Sequence, residues 1–227
     1  PAIDYATGTM GAYALSAALY QREKTGQGQR IDMAMLDVAM ILMASHVTGY
    51  LRNGKHPKPS GNRTGHATSM AYQCKEGIVM IGASNLRQQK RLWTVLERPD
   101  IIKKTNDERH ADQDREEATL GQIMLTRTAA EWEEWLQARH VPASRVRTMG
   151  ETLADPQIAS RGILHRHEGA PGVPGPFTVP VAAFKFAHGG PQVDRPPPMF
   201  GQHNDEILGE LGYTTAQIAG FRAAKVI

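Results

Sequence analysis

Residues 10–21 (MGAYALSAALYQ) hold no Asp, Glu, Lys or Arg, and residues 36–51 hold only Asp37. The first is rich in Ala and Leu, the second in Leu, Met, Val and Ala, and each is long enough for several helical turns. A helix with no polar stripe asks for cover on every side, so residues 10–23, free of charge until Arg22, read as a buried helix. That demand restricts the chain more than anything else in it: layers of other structure have to enclose two apolar helices. The connection between them is short. Gly26 and Gly28 stop the first helix. Arg30–Met35 then reads as a short buried strand, and Leu36 to about Arg52 as the second helix. Helix, glycine turn, strand and helix make an α/β rhythm.

At 227 residues the chain is enough for one large domain or two small ones, and 41% hydrophobic with 22% charged residues can bury a core. The net charge of +3 is spread over interleaved acids and bases, which argues against a nucleic-acid partner. No apolar run nears 18 residues, so no membrane span is expected. The single cysteine, Cys74, rules out an internal disulfide and fits a reducing compartment; with no basic-then-apolar leader, a cytoplasmic location is expected. Neither Cys74 nor the nine histidines fall at metal-ligand spacing, so no metal site is expected. Cys74 lacks an activating base in sequence and reads as an inert buried thiol. The chain opens Pro1-Ala2-Ile3-Asp4 and enters a helix within about ten residues. This reads as the continuation of something longer.

Composition divides the rest. Residues 53–67, with Gly54, Pro57, Pro59, Gly61 and Gly65, are a linker. A smaller unit over 68–145 follows. In it Tyr72-Gln73-Cys74, a Glu76-Gly77 turn and Ile78–Gly82 form a hairpin. Leu86–Glu97 and Arg109–Leu125 read as helices. Thr128-Ala129-Ala130-Glu131 is a capping box opening a third, with Trp132 and Trp135 as packing residues. Residues 146–227 return to the larger unit begun by 1–52. There Asp155-Pro156 starts a short helix that Gly162 closes, and two or three short strands occupy 163–187. Pro196–Pro198 is an extended spacer, Asn204 caps a helix ending at Gly212, and Thr214–Gln217 opens the last helix.

Four segments in order carry a resemblance: Asp4-Tyr5-Ala6-Thr7-Gly8 running on to Arg22–Gln29; Asp32–Asp37; Gly61-Asn62-Arg63; and Arg195–Asn204 with Leu208–Tyr213. Together they resemble the class III CoA-transferases, the formyl-CoA and carnitine-CoA transferase type, with the α-methylacyl-CoA racemases as a branch. The resemblance implies an α/β fold: a Rossmann-like large domain, here lacking its N-terminal portion, plus a smaller α+β domain. It also implies interlocked homodimers whose active site lies between the large domain of one chain and the small domain of the other. Acyl-CoA and a carboxylic acid would be the partners, with coenzyme A as co-substrate and no tightly bound cofactor.

By the same resemblance Asp4 is the nucleophile, passing through an aspartyl anhydride and an aspartyl-CoA thioester. Position alone makes an aspartate ahead of a helix an N-cap, and the two roles can coexist. Met35 falls where the family places a methionine beside the CoA adenine. Arg63 could pair with an acidic acyl group or a CoA phosphate, or simply hold the linker. Asn85 stands where the racemase branch has a glutamate, and an amide cannot serve as that acid or base; by position it also reads as a helix cap before Leu86. The expected activity is therefore CoA transfer. The alternatives are racemase-like proton transfer, or an inactive remnant that only dimerises. His203 reads as part of a structural turn.

Overall fold

The computed structural model describes residues 1–193 and 195–227. Helix α1 spans Ala2–Thr25 and ends on Gly26, whose left-handed φ of 70° lets its N–H reach back to Arg22 O at 2.7 Å. The glycine stop is where the sequence puts it. Residues 27–34 then run extended along α1. Gly11 admits them, because a Cβ there would meet Met33 Cε at 3.0 Å. The strand expected over Arg30–Met35 does not form. A strand needs a second backbone to pair with, and among the described residues none lies alongside.

The second apolar stretch is two helices, α2 (Met35–Leu42) and α3 (Ala44–Asn53). They are divided at Met43, where ψ of 17° leaves the helical range, and nothing in the composition marks the division. Helix α2 packs on α1 and buries Val38. The expectation that 10–23 is a buried helix is overturned: α1 has no buried residue, and Tyr5, Tyr13, Leu15 and Tyr20 are exposed. Its composition states what could be buried, while α2 and the extended segment cover too little of it.

The hydrophobic core lies further along. Strands β1 (Ala71–Gln73), β2 (Ile78–Ile81) and β3 (Ala143–Arg145) form an antiparallel sheet in the order β1-β2-β3, with Tyr72 opposite Val79 and Met80 opposite Ser144. The β1–β2 hairpin is the expected one, and Gly77 at φ 77° makes its turn. Along β2, Val79 and Ile81 are buried while Met80 points outward, the alternation of a sheet covered on one face. Helices α4 (Leu86–Val95), α5 (Asn106–Ala111), α6 (Gln113–Met124) and α7 (Ala129–Gln137) complete this unit. α6 packs against β1, and α7 against β2 and β3. Leu92, Trp93, Leu120, Met124 and Leu136 are fully enclosed. Trp132 is buried, with its indole N–H donating to Met124 O at 2.8 Å, and Trp135 meets it edge-on.

The helix expected over Arg109–Leu125 starts earlier and is interrupted. Thr105 caps α5 by accepting from the Glu108 N–H, and Asp112, ion-paired to Lys103, separates α5 from α6. Beyond β3 come α8 (Met149–Leu153) and α9 (Pro156–Arg161), the latter capped by Asp155 and closed by Gly162 as expected. Strands β4 (Leu164–His167) and β5 (Phe177–Pro180) form a second antiparallel pair. Helices α10 (Asn204–Glu210) and α11 (Thr215–Ala223) pack on each other. Asn204 is the first helical residue rather than the cap. His203 holds the cap position without a side-chain bond, in a turn made by Gly201 at φ 70°. The architecture is mixed α/β with small sheets. The strands among the described residues pair only antiparallel, so the parallel sheet of a Rossmann-like domain is not formed by them.

Candidate active site

Asp4 lies within the first turn of α1, not ahead of it. The Tyr5 N–H donates to Pro1 O at 3.1 Å, so the helical hydrogen-bond ladder already runs past Asp4. The N-cap position falls to Pro1, and no side chain caps there. Asp4 is exposed, and its carboxylate has no hydrogen-bond or ion-pair partner among the described residues. Thr7 and Thr9 spend their hydroxyls on the carbonyls of Ile3 and Tyr5 at 2.7 and 2.8 Å. A single unengaged carboxylate therefore faces outward from α1. Met35 opens α2, the helix that packs on α1, and is half exposed.

Arg63 and Asn85 belong to the sheet unit. The Arg63 guanidinium is engaged by two acids of α6, Asp114 and Glu117, the latter at 2.8 Å from Nε, and these pairs push its pKa upward. Its neighbour Asn62 completes the anchor. The Asn62 amide donates to Ala71 O at 2.7 Å and accepts from Ala71 N at 3.0 Å, standing in for a strand along the free edge of β1. Gly61-Asn62-Arg63 thus holds the linker to the sheet. Asn85 is the N-cap of α4, with Oδ1 accepting from Gln88 N at 2.9 Å in a capping box. Its amide N–H2 has no partner among the described residues. No hydrogen bond or ion pair among those residues joins the Asp4–Met35 pair to Arg63 or Asn85.

Sequence reasoning missed a polar centre directly behind Asn85. Arg109 of α5 is 1% exposed, and its guanidinium donates to Ser84 O (2.9 Å), Ala83 O (3.2 Å), Thr68 Oγ1 (2.8 Å) and Asn106 Oδ1 (3.2 Å). Thr68 Oγ1 passes its own proton to Ala83 O at 2.6 Å. Burial pushes the Arg109 pKa down, against the opposing pull of Glu116. The His66 and His110 rings lie tilted against each other, centroids 4.7 Å apart; His66 Nδ1 is buried and unpartnered, and its pKa is lowered by burial and then by Arg109 and His110. No sequence signal marks Arg109, because an arginine near a helix start is ordinarily exposed.

The CoA-transferase family III model matches residues 1–204, a span that includes Asp4, Met35, Arg63, Asn85 and Arg109. The chain belongs to CoA-transferase family III. It is 30% identical to the human succinyl-CoA:glutarate CoA-transferase, aligning 99% of this chain with 52% of that protein. It is also 30% identical to the succinyl-CoA–D-citramalate CoA-transferase of Chloroflexus aurantiacus, covering 99% of this chain and 57% of the relative. Among solved structures, Rv3272 of Mycobacterium tuberculosis superposes with a TM-score of 0.72 at 26% identity, over 89% of this chain and 54% of that one. A CAIB/BAIF family protein of Brucella suis gives 0.67 at 27%, over 91% and 54%. The chain spans about half the length of the curated relatives it matches. Those two relatives carry CoA-transferase names, and neither is called a racemase.

Proposed function

We propose that the protein moves CoA from an acyl-CoA thioester to a carboxylic acid, with Asp4 as nucleophile. One observation carries this reading: within a chain of this family, Asp4 presents an exposed, unengaged carboxylate on α1, the helix against which α2 packs. A carboxylate Oδ attacks the thioester carbonyl, the C–S bond breaks, and the CoA thiolate leaves behind an aspartyl–acyl anhydride. The thiolate then attacks the aspartyl carbonyl. The C–O bond breaks, the donor acid departs as carboxylate, and an aspartyl-CoA thioester remains. An incoming acid reverses the two steps and leaves as its own CoA thioester. No proton is gained or lost, so the chemistry needs no general base. Stabilisation of each oxyanion matters most.

Coenzyme A is a co-substrate in this scheme, and no tightly bound cofactor takes part. Met35, on the neighbouring helix, offers a polarisable apolar contact for the adenine ring. The free N–H2 of Asn85 is the proposed contact to substrate from the sheet unit. Arg63 would have to give up Asp114 or Glu117 to receive an anionic group, so it contributes to the linker first and to substrate second. The relatives named above act on dicarboxylic acyl groups by their names, and a short dicarboxylic acid is the acceptor to try first. Homodimerisation, with α1–α2 of one chain facing the sheet unit of another, would bring Asp4 and Asn85 to one site.

Trapping tests the scheme. Protein incubated with succinyl-CoA and hydroxylamine should acquire a hydroxamate on Asp4, read by peptide mass spectrometry. Asp4→Ala and Asp4→Asn should show none. An adduct that persists at another carboxylate in Asp4→Ala would remove Asp4 from the role.

A further inference from the structure

We propose that Arg109 is a positioning residue: its buried guanidinium locks the His66–Thr68 loop to the Gly82–Asn85 loop, and so fixes the substrate-facing amide of Asn85. The part of this that concerns substrate rests on the reading of Asn85 given above. The lock itself rests on geometry alone.

Two loops meet at this guanidinium. From one side come Thr68 Oγ1 and, through Asn106, the start of α5. From the other come the carbonyls of Ala83 and Ser84, the two residues immediately before Asn85. Backbone bonds already join the loops further in, Ala83 N to Thr68 O at 2.9 Å and Ile81 N to Met70 O at 3.0 Å. At Ser84 that pairing stops, and Arg109 Nη1 takes over as the contact to the carbonyl that leads into Asn85. The planar fork suits this work. One Nη reaches both Thr68 and Ala83 while the other reaches both Ser84 and Asn106, a spread that a lysine ammonium cannot reproduce.

The chemistry around Arg109 is unusual for a structural arginine. No carboxylate lies within ion-pair distance among the described residues; its acceptors are carbonyls, a hydroxyl and an amide oxygen. Nε is buried with no partner. A buried cation resting on neutral oxygens is costly to hold in place. An apolar side chain of similar volume would fill the space without that cost, but it could not hold the 83–85 backbone. The loop joined by the other arm carries His66, two residues before Thr68, so one guanidinium ties together the backbones that lead to His66 and to Asn85.

The test couples two residues and two readouts. Arg109→Lys keeps the charge but loses the fork, and Asn85→Ser keeps the α4 cap while removing the amide. In Arg109→Lys, hydrogen exchange at residues 64–69 and 82–86 should quicken by roughly tenfold, with residues 118–124 of α6 unchanged. Equal acceleration everywhere, or no change in the two loops, overturns the lock. Thr68→Val, which deletes the shared hydroxyl and keeps the volume, must show the same local pattern, and it stands in should Arg109→Lys not fold. For function, the loss in kcat/KM for the acceptor acid caused by Arg109→Lys should vanish in an Asn85→Ser background. Losses that multiply in the double variant overturn the positioning role. Should the unaltered protein exchange no CoA, the CoA-transfer reading fails by that result, and the exchange rates alone decide the lock.

Discussion

Glu116 is the acid that sits next to the Arg109 centre without neutralising it. It is 1% exposed, its Oε1 is buried without a partner, and burial raises its pKa above the ordinary carboxylate value although Lys103 and Arg109 pull the other way. A raised pKa means that the folded state holds the proton more tightly than the unfolded chain. The stabilising contribution is thus complete below the ordinary Glu range and is lost as pH rises through the raised value. Glu116→Gln should remove that contribution, so that the urea midpoint of the protein relative to the variant falls as pH rises above the ordinary Glu value of about 4.5. Unchanged slopes in protein and variant would show that burial does not govern this group. Neither Glu116 nor Arg109 was legible beforehand, because charge in a sequence signals surface, and only the packing of α5 and α6 against the loops reverses that. Residues whose role is local were legible. Asp155, Thr128 and Asn85 act on N–H groups two or three positions away, and Cys74 is a buried thiol whose pKa is pushed up by burial.

Elements follow the same divide between near and far. The β1–β2 hairpin could be read because its partners are separated by one turn, and α9 because its cap, its proline and its closing glycine lie within eight residues. Strand β3 could not: three residues whose partner lies some sixty positions earlier carry no periodic signal. The strand expected before α2 failed for the converse reason, having the right residues and no neighbour. Helix α7 offers a quantitative check on the legible kind. Thr128 Oγ1 accepts from Glu131 N at 3.2 Å and Glu131 Oε2 accepts from Thr128 N at 2.8 Å, while Trp132 and Leu136 fix the inner face to the core. Thr128→Ala should cost about 1 kcal/mol in equilibrium unfolding, and Thr128→Ser only a few tenths. Comparable losses from both would mean that the threonine methyl, rather than the cap, is what matters.

Across the whole molecule, stability is distributed unevenly. The buried cluster draws its residues from Ala67 to Val141, whereas α1 has none. Arg145 and Arg147 tie the outgoing chain to the cluster: Arg147 meets Glu133 at 2.9 Å, and Arg145 meets Glu151 at 2.6 Å. Thr148 and Arg145 together hold the Glu151 carboxyl down to about 2. Beyond these contacts α8–α11 and the β4–β5 pair add little enclosed surface, with His167 and Ile218 as their buried residues. Hydrogen exchange on dilute protein should accordingly show slow amides in β2, α4, α6 and α7, and amides in α1 exchanging nearly as fast as those of a free helix. The contrast is informative in both directions. A helix whose tyrosines and leucines face water is protected by its own hydrogen bonds alone, and such protection is weak. Slow exchange in α1 would mean that its apolar sides are covered in solution. If that slowing grows with protein concentration, the cover is a second copy of the chain, which is the arrangement that would carry Asn85 to Asp4. If it does not, the cover comes from the same chain, and joining Asp4 to Asn85 across two chains loses its basis.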